Sequence, residues 1–577
     1  LGQLAAEYQS VSGPVTGSTP EVQYGYNDPN QGSQLTSITY PTTTEVVNYG
    51  YDQYGRLAMV SDGSPLPLAV YTYLGDGTLV TMNEKQAGIE LTYKQAGSGD
   101  QYAGLDAFDR VSDQQWVNTS TNQVIDKFAY QYDDDGNVTG ETVGSQYSET
   151  FVYDALNRLI SFTGGPDSQS WGLDAAGNMS SVTTNGTATG DSYYANNEIQ
   201  GGGVTYDANG NTLTDGSGNQ FVYDAWNRLV KVTSSSGAVE TFSYDGLGRK
   251  TTATLNGTTT ALYYSNQWQV LEERQGTSVT QYVWNPIYVD AMICRITRSV
   301  YTYTTYDASF DVTSIFSGGQ VQERFAYDPY GKFSVFTAGW VATTDTAGWA
   351  YYFKGQRWDA TGQLYDARNR VYSVVLSRFM QDDPTGYPDG SNMYQPFGSN
   401  PVANNDPSGL FDLFFNSPGQ EPVARISITN DTPQLDLPED QKQQFKKEQA
   451  QEYLDAKMRV ARDLQITREA RFNQSPVLYP LDSTYTQTYA SANTPSLGLP
   501  PTDPRIAEIN ENLKYCHDHG MMSVFDPPDD IRDEVRDNEP PHDDSPAGPT
   551  AHQVGVELQR TQAVRCPGVF GTSPGAP

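Results

Sequence analysis

The chain has 577 residues and a formal net charge of −34 at pH 7, from 35 Lys and Arg against 69 Asp and Glu. So acidic a surface repels phosphates and excludes general nucleic-acid binding through the bulk of the chain; it fits a soluble, self-repelling protein, or one working in salt or calcium. No run of about twenty apolar residues occurs, which excludes a membrane-spanning helix, and the length calls for more than one domain or one large β structure with a tail. The sequence starts at Leu1 with no visible signal peptide, so it is expected to be a fragment lacking an N-terminal part, with its export route unread. Cys294, Cys516 and Cys566 leave one thiol over in any disulfide scheme and read as reduced or buried thiols.

Residues 1–335 are dominated by Tyr, Gly, Thr and Asn. Tyr-Asp pairs recur, and three intervals, Tyr132 to Tyr153, Tyr223 to Tyr244 and Tyr306 to Tyr327, share a spacing of 21 residues. A fixed period of that length marks a repeat architecture. The fuller unit is Tyr-Asp-x-x-Gly/Asn-Arg-Leu, as in Tyr51–Leu57, Tyr153–Leu159 and Tyr223–Leu229; Asp133–Asn137 and Asp207–Asn211 carry a looser Asp-x-x-Gly-Asn form. Alternating segments such as Phe151-Val-Tyr153 and Leu159-Ile-Ser-Phe162 read as strands. The Asp, Asn and Gly between them supply turn chemistry, the Asp bonding to turn amides and the Arg pairing with a nearby carboxylate. A lone hairpin cannot bury its apolar face, so units must stack into a long, coiled antiparallel sheet. Tyr suits such a sheet because its ring packs while its hydroxyl reaches water or a partner.

The repeats give way to Gly355–Arg370, then to Arg370–Pro384 and Asn404–Leu410. Arg378-Phe-Met-Gln-Asp-Asp-Pro-Thr-Gly386, Gly390-Ser-Asn-Met-Tyr394, Ser399-Asn-Pro-Val402 and Asp406-Pro-Ser-Gly-Leu410 follow one another in order. This succession resembles the conserved core of the Rhs and YD-repeat family, whose motifs are Arg-Phe-x-x-x-Asp-Pro-x-Gly and Asp-Pro-x-Gly-Leu. The resemblance covers roughly residues 1–410. It implies an all-β fold in which strips of hairpins wind into a hollow shell, with 1–335 as repeats, 336–410 as core, and 411–577 as a variable C-terminal region held as the shell's cargo. It also implies a bacterial protein, secreted or at the cell surface.

In characterised relatives the core is an aspartyl-type autoprotease that cuts after the Leu of the last motif. Here that bond is Leu410–Phe411, preceded by the recognition residues Asp406, Pro407 and Gly409. Such chemistry needs two close carboxylates that share a proton, one polarising the carbonyl and the other activating water, with an Arg biasing one toward its charged form. Matched by motif, the Arg is Arg370 and one carboxylate is Asp383. The second, in many relatives, directly follows the Arg, where this chain has Val371. Asp382 and Asp366 are the candidate substitutes, and whether the core cuts stays open at this stage. Asp406 is expected to shape the turn at the cut. No histidine precedes His517, which excludes a His-dependent triad in the repeats.

Beyond Leu410 the composition shifts. Residues 438–472 read as a helix, 505–515 as a second short one, and the Pro- and Asp-rich end from Asp526 as disorder, the whole making a small, mostly helical or disordered region. Cys516-His-Asp-His519 lacks a spaced second ligand pair and reads as a solvated turn, so no metal or cofactor is expected. Three functions compete: a shell that packages and releases its C-terminal segment; a secreted or cell-surface adhesion protein using its Tyr-rich sheet, with glycan contact by stacking; and a metal-dependent enzyme in the tail.

Overall fold

The computed structural model of the protein describes residues 3–410, except 12, 28–33, 42–44, 76, 96–99, 101, 166 and 388–389, together with residues 413–414 and 423–424. Apart from Asn27 and Gln34, these belong to one compact unit. The helices expected at 438–472 and 505–515, the acidic end, Cys516, Cys566 and all four histidines lie outside the described residues.

Each repeat begins with its turn. Asp154 Oδ1 accepts the amides of Leu156 at 2.9 Å and Arg158 at 3.0 Å, and Oδ2 accepts Arg158 Nε at 2.7 Å. The left-handed position falls on Asn157, φ 60°, a residue type that tolerates it. The same bonds recur at Asp52/Arg56, Asp106/Arg110, Asp224/Arg228 and Asp245/Arg249. The Arg therefore pairs with the Asp of its own turn. Its plane also lies against the Tyr of the next repeat, as Arg56 on Tyr73 and Arg228 on Tyr244 at 4.9 and 4.7 Å, a cation–π stack.

The Tyr that precedes the turn Asp sits at a β-bulge in several repeats, as at Val152/Tyr153 and Ser243/Tyr244. Its hydroxyl does not end in water. Tyr51, Tyr132, Tyr153 and Tyr327 donate to the carbonyls of Leu35, Val111, Val138 and Val312 at 2.6 to 2.8 Å. Each acceptor is the residue that follows the previous turn. Of the two destinations expected for the hydroxyl, water or a partner, these tyrosines take a partner within the sheet, and the hydroxyl staples one repeat to the one before.

Among the described residues the hairpins build a sixteen-stranded sheet, from Ala6–Tyr8 to Thr187–Thr189, and a fifteen-stranded one, from Val204–Tyr206 to Ala342–Thr343, both with strands in sequence order and every pair antiparallel. The described helical turns are two 3₁₀ segments, Phe353–Gly355 and Phe397–Ser399. Strand Tyr147–Tyr153 shows the alternation expected of a sheet with one buried face, Glu149 and Phe151 inside, Ser148, Thr150 and Val152 outside. The buried faces of the two sheets meet. Tyr40 donates to the Tyr282 carbonyl at 2.6 Å, Trp116 Nε1 to the Tyr306 carbonyl at 2.8 Å, and Trp171 packs edge-on against Tyr330. This is the all-β, stacked-hairpin architecture that the repeats predict.

A four-stranded sheet, Arg357–Asp359, Leu364–Ala367, Arg370–Ser373 and Arg378–Phe379, closes the described fold around the buried rings of Phe353, Tyr365, Tyr372 and Phe397. It sits on the edge of the large sheets where the Asp turns lie. Asn392 Nδ2 donates to Asn178 Oδ1 and Asn400 Nδ2 to Asn137 Oδ1, both at 2.9 Å, and Tyr394 donates to the Gly210 carbonyl at 2.8 Å. These are the turns of the Asp-x-x-Gly-Asn form. An Arg in place of Asn137 or Asn178 would fill the space the core occupies. A Cβ on Gly210 would lie 2.5 Å from Asp382 Oδ2.

Candidate active site

The turn into the third core strand reads Arg368-Asn-Arg370, and these three residues hold the segment before the expected cut. Arg368 donates to the Pro407 carbonyl, Asn369 to the Ser408 carbonyl from its amide at 3.2 Å and from Nδ2 at 3.0 Å, and Arg370 Nε to the Gly409 carbonyl. Gln356 Nε2 takes the Asp406 carbonyl at 3.0 Å. Four consecutive carbonyls are thus engaged, three of them by consecutive side chains. Arg368 is itself fixed by Asp290 at 2.6 Å.

Gly409 is required by two features at once. Its φ is 66°, and a Cβ there would lie 2.6 Å from the Ala367 carbonyl oxygen and 3.0 Å from the Arg370 amide. Asp406 Oδ1 accepts the Leu410 amide at 3.2 Å and the Ser408 hydroxyl at 3.1 Å.

Arg370 is 3 % exposed, a cation that must be paired to be buried. Its Nη2 lies 2.8 Å from Asp383 Oδ2 and 3.5 Å from Asp406 Oδ2, its Nη1 donates to the Met393 carbonyl at 2.9 Å, and its plane covers the Phe379 ring at 3.7 Å. Asp383 Oδ1 accepts the amide of Thr385 at 2.8 Å and its hydroxyl at 2.5 Å, and that hydroxyl lies 3.5 Å from the Leu410 carbonyl oxygen. The structure thus brings together Arg370, Asp383, Asp406, Gly409 and Leu410.

The residues considered as a second carboxylate are turned elsewhere. Asp366 pairs directly across from Val371 and shares its cavity, but its carboxylate is 2.9 Å from Lys250; against the upward push of burial, that ammonium holds its pKa below the usual carboxylate range. Asp382 faces Gly210 and the Tyr394 hydroxyl, and burial raises its pKa. Val371 is buried, its amide donating to Gln381 Oε1 at 3.0 Å. Motif reading missed Thr385, Arg368, Asn369 and Gln356. Thr385 had a local signal, a hydroxyl two residues after Asp383 in a turn; the carbonyl holders had none, because their partners are backbone.

Stacked hairpins stapled by Tyr, closed by a separate sheet with a buried Arg paired to a carboxylate, define a YD-repeat shell. The Teneurin YD-shell family profile matches residues 105–407, and the chain belongs to that family. A double-stranded DNA deaminase toxin A of Burkholderia cenocepacia (strain H111) is 27 % identical over 372 residues, 57 % of this chain and 25 % of that protein. Toxin subunit YenC1 of Yersinia entomophaga is 36 % identical over 99 residues, 17 % of this chain and 10 % of its own length. The chain spans a quarter or less of the length of these relatives. In three dimensions it resembles the crystal structure of TcdB2-TccC3 without its hypervariable C-terminal region, TM-score 0.56 at 20 % identity over 68 % of this chain and 22 % of that one. A Photorhabdus luminescens Tc holotoxin pore gives 0.55 at 19 %, over 72 % and 22 %. The chain is thus a YD-repeat shell protein.

Proposed function

We propose that the protein is a β-shell that packages its own C-terminal segment, residues 411–577, as an effector, and releases it by cutting Leu410–Phe411. The observation that carries the reading is the cradle. Residues 368–370 fix the carbonyls of Pro407, Ser408 and Gly409, and the Leu410 carbonyl oxygen lies 3.5 Å from the Thr385 hydroxyl that Asp383 holds. The likeness to a DNA deaminase toxin and to a TcdB2-TccC3 complex that has a hypervariable C-terminal region supports an effector cargo, and release outside the producing bacterium belongs to the same proposal. Division into repeats to 335, core to 410 and cargo beyond belongs to the same proposal.

In this reading Arg370 positions Asp383 through the 2.8 Å ion pair, Asp383 takes a proton from the attacking water, and Asp406 and Gly409 fix the bend at the bond. Intact mass of the purified chain, followed at neutral pH, tests it. A cut between Leu410 and Phe411 is expected, abolished by Asp383→Asn and slowed by Arg370→Ala. Acid hydrolysis at Asp406–Pro407 would differ by four residues. A wild-type chain that stays whole overturns release by self-cleavage.

One observation favours a second reading, surface adhesion. Tyr54, Phe108 and Trp226, each two residues after a turn Asp, are exposed, Trp226 by 75 %. The Arg of the same turn lies over one side of each ring at 5.1 Å, and the exposed remainder offers a stacking platform for sugars. Glycan-array binding by the intact chain, lost in Trp226→Ala, tests this reading; a blank array overturns it.

A further inference from the structure

We propose that Thr385 is a catalytic residue of the cut at Leu410–Phe411 and that its hydroxyl takes the place of the carboxylate this chain lacks at Val371. The inference rests on the self-cleavage reading. Thr385 is exposed at the surface of the core, and its hydroxyl stands between two acceptors, Asp383 Oδ1 at 2.5 Å and the Leu410 carbonyl oxygen at 3.5 Å.

A threonine hydroxyl has one proton to give and two lone pairs to receive with. While Asp383 is charged, the proton points at Asp383, and the Leu410 carbonyl waits at the outer edge of hydrogen-bond range. Once Asp383 gains a proton, the direction reverses. The carboxyl then donates to Thr385 Oγ1, and Thr385 turns its own hydrogen to the Leu410 oxygen. The hydroxyl therefore delivers its hydrogen bond when the oxygen is becoming negative, where such a donor accelerates the reaction. Contacts of this kind tighten on the way to the transition state.

The chemistry balances with water alone. A water oxygen bonds to the Leu410 carbonyl carbon as Asp383 takes one of its protons. The carbonyl oxygen becomes an oxyanion and accepts from Thr385. The carbon–nitrogen bond to Phe411 breaks, the carbonyl reforms, and the proton on Asp383 passes to the leaving nitrogen. The products are a carboxylic acid on Leu410 and an amine on Phe411. The neighbouring amide of Thr385, 2.8 Å from Asp383 Oδ1, fixes the threonine so that its hydroxyl stays between the two groups.

The test is the rate of Leu410–Phe411 cleavage in the full chain, read by intact mass at neutral pH. Thr385→Val keeps the shape and removes the hydroxyl, and is expected to slow the cut about a hundredfold, the usual effect of losing one oxyanion donor. Thr385→Ser keeps the hydroxyl and should keep most of the rate. In a Val371→Asp background the loss from Thr385→Val should shrink, because the added carboxylate restores the second group. Cleavage of Thr385→Val at the wild-type rate overturns the role of Thr385 and leaves self-cleavage standing. An uncut wild type overturns both. Loss of the cut in Thr385→Ser as complete as in Thr385→Val also overturns the proposal, since the serine hydroxyl would then have no effect.

Discussion

Glu141 and Glu149 face each other across neighbouring antiparallel strands, like charges in directly opposed positions, where ionised side chains repel. Burial first, and then the neighbouring Asp307 and Asp311, push the Glu149 carboxyl up to about 8. Burial first, and then Glu149 itself, raises Glu141 well above the usual range. The folded protein thus keeps protons here that the unfolded chain releases above a pH of about 4.3. The contribution to stability is complete below that value and is lost as pH rises toward 8. Glu149→Gln is expected to raise the guanidinium midpoint at pH 8 and to flatten the decline between pH 5 and 8. An unchanged slope would show that the pair is ionised in the fold.

The turn aspartates act in the opposite direction. Against the upward push of partial burial, the Arg158 side chain and the turn amides hold Asp154 below the usual carboxylate range. Its contribution is present above the unfolded value and lost as pH falls through the folded one. Asp154→Ala removes three hydrogen bonds to a charged group and should cost about 1–2 kcal/mol at pH 7 after allowance for solvent screening. Chemical denaturation measures it, and the difference from wild type should vanish in acid.

Tyr153→Phe isolates the staple. It keeps the ring and removes the bond to the Val138 carbonyl, an expected loss of about 1 kcal/mol. The mutant should show faster amide exchange at the 133–137 turn and its flanking strands, with the distant strand Val300–Tyr306 unchanged. Uniformly faster exchange would show that the repeats do not open separately.

Val371 lines a cavity with Arg370 and Gln381. Val371→Asp places a carboxylate at that cavity, and the rate of the Leu410–Phe411 cut is expected to rise. A chain that remains uncut as wild type and as Val371→Asp would leave the core as a structural plug.

The fold class was legible because its signals are local: a turn Asp, a left-handed Asn or Gly and alternating strands all lie within one 21-residue unit. Arg370, Asp383 and Asp406–Leu410 could be singled out because motifs carry them. What stayed hidden was whatever depends on a second segment of chain. The destination of the Tyr hydroxyls needs a bulge and a neighbouring repeat. The cradle needs residues 39 positions apart to meet through backbone atoms. The distinction between Arg and Asn at the end of a turn had been visible as a looser motif, but its cause, the approach of Asn392 and Asn400, lies more than two hundred residues away.

Because Arg368, Asn369 and Arg370 grip carbonyl oxygens, they read chain direction and curvature and are blind to side chains after Gly409. If Leu410 is the boundary of the cargo, as proposed, it works as a universal coupling. Any polypeptide spliced in behind it meets the same three grips, and such a junction lets cargo be exchanged by recombination without a compensating change in the carrier.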